Sequence, residues 1–112
     1  MWREELDGIG LGHHGDKTTT GAVCYSSMQS RYWFGLPALL RQVDRVGICP
    51  ACGKPGMIAE GAPRMCYGGL YVAFHKARII CGCPPGSNRL IARIGEWLGP
   101  GEPPHPYEPA RV

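Results

Sequence analysis

Three features of this chain predict a small all-β domain: a heavy load of turn residues, short apolar runs between them, and no stretch with helical periodicity. The 112 residues include 17 Gly and 11 Pro, a quarter of the chain. In a helix interior each Gly costs roughly 1 kcal/mol and each Pro about 3 relative to Ala, so this composition favours turns and short strands. The length fits one domain, because chains shorter than ~250 residues rarely divide into two cores. Hydrophobic residues make up 44% of the chain, but only two are Phe, and many of the rest are Ala, Cys and Val. The core is therefore expected to be thin and to need an added staple.

Residues 1–12 show little periodicity and read as a lead-in to a domain spanning residues 13–98. Gly15–Ser27 reads as a Gly-Asp turn followed by a β-rich run of Thr, Val and Tyr. Arg31–Leu40 sets Tyr32, Trp33, Phe34, Leu36, Leu39 and Leu40 around Pro37, a pattern that fits either a helical turn or an apolar loop. Val43–Ile48 predicts a strand, with Met57–Ala59 as its return and Glu60–Pro63 closing it. Leu70–Phe74 is the clearest strand, introduced by the turn signal Gly68-Gly69. Arg78–Ile80 and Arg89–Ile94 form a last outgoing and returning pair. A weak internal repeat lays His14–Gly21 over His75–Gly82, with a poorer third copy at Val43–Pro50. Arranged around a rough threefold, these copies make Thr20, Cys49 and Cys81 neighbours. Residues 99–112 contain five prolines and predict an extended tail.

The chemistry is concentrated in two cysteine pairs, Cys49-Pro-Ala-Cys52 and Cys81-Gly-Cys83, with His75 shortly before the second. Thiolates and imidazoles at such spacing suit a tetrahedral zinc ion, and the flanking Pro and Gly let short loops aim their side chains at one point. The candidate ligands are Cys49, Cys52, His75, Cys81 and Cys83, one more than a tetrahedral ion takes. His75 also fits a satisfied histidine, and Cys83 a free thiol. Cys24 and Cys66 have no partner at ligand spacing and read as small buried residues. His13, His14 and His105 lack a supporting constellation and are expected in solvent. The N-terminal Met-Trp-Arg-Glu-Glu has no apolar signal-peptide region, which predicts a chain starting in the cytosol, where thiols stay reduced. Six cysteines there read as ligands or buried groups before bridges. No 18-residue apolar run suggests a membrane span. The net charge of +3, with nine Arg scattered among three Lys, does not favour nucleic-acid binding. A metal closed off by four side chains leaves no position for water, and Asp7, Asp16 and Asp44 are isolated, so the chain reads as non-enzymatic.

In order and spacing, Gly15-Asp-Lys-Thr-Thr-Thr-Gly21, Cys49-Pro-Ala-Cys-Gly53, Ile58-Ala-Glu-Gly61, Val72-Ala-Phe-His75, Cys81-Gly-Cys83 and Asn88-Arg-Leu-Ile-Ala92 resemble a PAAR-repeat protein, over roughly residues 10–94. The resemblance implies a conical β-domain that caps the trimeric VgrG-like spike of a bacterial type VI secretion system. It further implies a point held by zinc on His and Cys side chains, with Cys49, Cys52 and Cys81 at ligand positions. Thr20 stands at the first apex, where many members have His. His75 or Cys83 is then the replacement, and His14 a more distant one. The usual Gly-Asp before the last apex is Lys76-Ala77 here. Also implied are a bacterial cytoplasmic location before firing and delivery into a target cell afterwards. The protein is then a monomer on its own, with the spike trimer as partner, a separate effector or adaptor as a further one, no nucleic acid and no stable membrane anchor. Trp33, Phe34 and Trp97 are candidates for the face the spike would cover. Two other readings stay open: a zinc-ribbon-like nucleic-acid-binding module and a metal-free, disulfide-bonded secreted protein.

Overall fold

The computed structural model describes residues 2–33 and 35–98. Expectations for the Trp33 side chain, Phe34 and the tail at 99–112 lie outside the described residues. The described residues form ten short strands and no helix: β1 (Glu5–Leu6), β2 (Ile9–Gly10), β3 (Cys24–Tyr25), β4 (Tyr32–Trp33), β5 (Leu36–Pro37), β6 (Arg45–Val46), β7 (Gly56–Ile58), β8 (Ala62–Tyr67), β9 (Leu70–Val72) and β10 (Ile79–Ile80).

One unit is used three times: a basal hairpin, a tight turn, an outgoing arm, a tip and a returning arm. The basal hairpins are β1–β2, β4–β5 and β8–β9, with closing pairs Leu6↔Ile9, Trp33↔Leu36 and Tyr67↔Leu70. Each leaves two residues in its loop. Asp7 and Gly8, like Gly68 and Gly69, both have positive φ, the hairpin turn whose twist matches that of the flanking strands.

The turns His13–Asp16, Arg41–Asp44 and Phe74–Ala77 follow, closed by the fourth residue's N–H on the first residue's carbonyl at 3.0, 3.1 and 3.0 Å. Their third residues, Gly15, Val43 and Lys76, have φ of 91°, 68° and 72°. Only glycine adopts that region without cost, so the second and third copies carry local strain. In the first two copies an aspartate reaches back: His13 N donates to Asp16 Oδ2 at 2.7 Å, and Arg41 N to Asp44 Oδ2 at 2.8 Å. Ala77 has no side chain to do this. Aligning Asp16, Asp44 and Ala77 places Cys81 four residues past its turn, as Thr20 is, and Cys49 five. The middle copy therefore runs one residue out of step with the register expected from the sequence.

The arms close into a ring. The first returning arm pairs with the second outgoing arm through Cys24↔Val46, and the second returning arm with the third outgoing arm through Ile58↔Ile79. The third seam runs between Thr18 and Leu90, with Thr19 N donating to Arg89 O at 2.8 Å and Ile91 N to Lys17 O at 2.9 Å. Among the described residues each arm is paired on both sides, with no free edge for another strand to join.

Alternation along the arms sends one residue per turn of the pattern inward. Cys24, Ile58 and Leu90 on the returning arms are all fully buried, facing Val46 and Ile79 on the outgoing ones. Thr18 takes the corresponding place in the first copy, and its hydroxyl accepts a hydrogen bond from Ala22 N. A second cluster, Leu11, Leu39 and Val72, lies near the basal hairpins, with Leu6, Met28, Met65 and Phe74 packed on it.

Several elements differ from the sequence reading. Arg31–Leu40 contains a hairpin where a helical turn or an apolar loop was expected, and β8 is a six-residue strand where only a closing turn was expected. The lead-in is tied down. The Arg3 guanidinium donates to both Asp16 oxygens at 2.5 and 2.8 Å, and to Leu11 O and Glu96. Trp2 meets Trp97 edge-on, with ring centroids 5.1 Å apart. His13 is buried, not in solvent, and Cys66 is exposed, because β8–β9 is only two strands wide. Cys24 is buried as expected, and burial pushes its thiol up to about 12.

Candidate metal centre

Two of the three tips bear thiols. In the second copy Cys49 N donates to Lys54 O at 2.9 Å and Gly53 N to Cys49 O at 2.7 Å, which folds Cys52 back over Cys49. Gly53 has φ of 72°, so the residue after Cys52 needs the conformational freedom of glycine. In the third copy Cys81-Gly-Cys83 turns so tightly that Cys83 N points at Cys81 Sγ, 3.4 Å away. Gly82 lies against the facing tip: a Cβ there would meet Cys52 Sγ at 3.2 Å and Lys54 Cδ at 2.9 Å. A side chain at this position would displace the end of Lys54 and crowd Cys52.

The result is that Cys49, Cys52, Cys81 and Cys83 bring their sulfurs within 4.8 Å of one another. Cys49 Sγ lies 3.6 Å from Cys83 Sγ. A tetrahedral ion with metal–sulfur bonds of about 2.3 Å needs sulfurs about 3.8 Å apart, so the set suits a single four-coordinate ion.

The thiols are electrostatically unequal. Cys49 is drawn down to about 6, first by the Thr20 hydroxyl and then by the turn amides of Cys52 and Ala51. Cys81 is also lowered, chiefly by the Cys83 amide and then by Asn88. Cys83 is pushed up to about 12 by its contact with Cys49. Four thiols this close cannot all ionise beside one another unaided, and a divalent cation removes that conflict. Four such sulfurs can hold a metal ion.

His75 is not in this group. It occupies the second position of the third turn, where its Nδ1 accepts a hydrogen bond from Ala92 N at 2.9 Å. His14 does the same for Ser26 N in the first copy, and Gln42 donates to Ala59 O in the second. His75 thus ties a turn to its returning arm. Thr20 does sit beside Cys49, as the repeat predicted, with 3.2 Å between Oγ1 and Sγ. Asn88, which opens one of the motifs quoted above but was not among the candidate site residues, is buried beside Cys81.

No curated protein and no solved structure matches the chain. The PAAR motif matches residues 14–85, from the first turn through both thiol-bearing tips, and with most of its length inside that match the chain belongs to the PAAR-motif family.

Proposed function

We propose that this protein is the structural tip of a type VI secretion spike, capping a trimeric VgrG-like protein, with a zinc ion on Cys49, Cys52, Cys81 and Cys83 holding its point together. The observation that carries this reading is the meeting of four sulfurs from two separate hairpin tips in a body built from three like units. Zinc is the ion for such a set because it accepts four thiolates tetrahedrally, has no redox chemistry and forms closed structural sites. Four protein ligands leave no place for water, so the role is mechanical and not catalytic. The threefold repeat suits a threefold partner, with the basal hairpins as the surface presented to it. The protein waits in the bacterial cytoplasm, where thiols stay free to bind metal, and leaves with the fired spike.

The test has two readouts on the full chain. Freshly purified protein should carry one zinc per chain, and it should co-purify with a VgrG-like trimer from the same source. Metal-free, fully folded protein would sink the zinc assignment. A metallated protein that never binds the trimer would sink the spike assignment alone.

A further inference from the structure

The first hairpin contributes no thiol, yet it reaches the cluster through hydrogen bonds. Thr20 Oγ1 lies 3.2 Å from Cys49 Sγ and 3.1 Å from Asn88 Oδ1. Asn88 Nδ2 in turn points at Cys81 Sγ, 3.6 Å away. Asn88 is 1% exposed, so its amide has little recourse to water. Its Oδ1 accepts from the Thr20 hydroxyl, whose oxygen in turn faces the Cys49 thiol. Thr18 Oγ1 lies 3.2 Å behind Thr20 Oγ1 and is itself held by Ala22 N. The path Cys49–Thr20–Asn88–Cys81 therefore links both thiol-bearing tips through the tip that has none.

We propose that Thr20 and Asn88 form a bridge that carries the first hairpin into the metal centre in place of a coordinating side chain. They are positioning residues of the four-thiolate site, and the inference rests on that site holding zinc. Four thiolates around one divalent ion leave the centre with two excess negative charges. The Asn88 amide, a donor aimed at Cys81 Sγ, offsets part of that charge, and the Thr20 hydroxyl, set between Asn88 and Cys49, fixes the direction of both. Partners of this kind, in the shell outside the ligands, typically alter metal affinity by about 10- to 100-fold when removed.

The experiment compares the full-length wild type with Thr20→Val, Asn88→Ala, the double variant and Thr20→Ser. Zinc affinity is measured by chelator competition, and the cobalt-substituted protein supplies the thiolate-to-metal absorption band. Thr20→Val and Asn88→Ala should each weaken zinc about 10-fold and shift the cobalt band. The double variant should lose no more than the worse single one, because either change breaks the same bridge. Thr20→Ser, which keeps the hydroxyl, should restore both readings. Wild-type affinity and an unmoved band in Thr20→Val, or losses that add in the double variant, would overturn the bridge while leaving the metal centre standing. Should Asn88→Ala not fold, the Thr20→Val and Thr20→Ser pair decides alone. Wild-type protein that takes up neither zinc nor cobalt would overturn the metal reading and the bridge with it.

Discussion

The three turns that begin the arms and the three tips that end them belong to the same repeated unit, but they are held by different chemistry. Each turn closes on itself through a backbone hydrogen bond, reinforced in two copies by an aspartate. The copy with Ala77 does without that reinforcement and keeps its turn. The tips differ from copy to copy, and the contacts there join one tip to another through sulfur, hydroxyl and amide. The contrast follows from where the core stops. Nearer the tips than Val46, Ile58, Ile79 and Leu90, the buried residues of the two thiol-bearing hairpins are Cys49 and Asn88, neither of them a large apolar side chain. Past that level apolar burial no longer holds the arms together. A cross-link placed there adds most, because structural zinc in small peptides contributes on the order of 10 kcal/mol.

The largest effect should come from breaking the tip. Cys49→Ser should lose bound zinc and lower the melting temperature by about 10 °C or more, whereas Cys66→Ser, at an exposed thiol outside the cluster, should change neither. Metal analysis and calorimetry on the two variants check this. Equal melting of Cys49→Ser and wild type would mean the tip adds no stability. Breaking the turn end should cost less and leave the metal alone. Asp16→Asn removes the bidentate one of the two carboxylates that pair with Arg3, whose side chain is 1% exposed, and with Glu96 as its remaining counter-charge the loss should be about 2 kcal/mol. Urea denaturation measures that loss. Loss of zinc from the same variant would show that the two ends are energetically one. The smallest effect runs the other way. Val43 is β-branched at φ of 68°, so Val43→Gly should relieve strain and raise stability by about 1 kcal/mol, partly offset by glycine's greater freedom when unfolded. A lower denaturation midpoint would count against strain at this turn.

How much of this was readable from residues alone depends on how local each signal is. The two cysteine pairs were legible because short spacing and turn residues already dictate convergence. Of the five candidate ligands, four meet and His75 does not. The clue to His75 lay in the repeat itself, which matched it with His14, six residues before the tip at Thr20 as His75 is six before Cys81. The basal hairpins were harder. Strands of two residues carry almost no periodicity, although Asp7-Gly8 is a strong hairpin signal that the first hairpin obeys. The Asn88 amide could not have been found in advance, since its role exists only once Thr20 and Cys81 have been brought together by the third seam. Cys66 misled because an apolar-looking strand says nothing about whether a second layer covers it.

That third seam sets the order in which the molecule can be completed. Lys17–Thr19 must wait for Arg89–Ile91, some seventy residues later, so a nascent chain emerging from the ribosome carries an unsatisfied strand at its leading end until nearly the whole body has been made. A fragment ending before Arg89 would keep all four thiols and still present open strand edges at both sides, inviting the edge-to-edge association that the finished ring forbids.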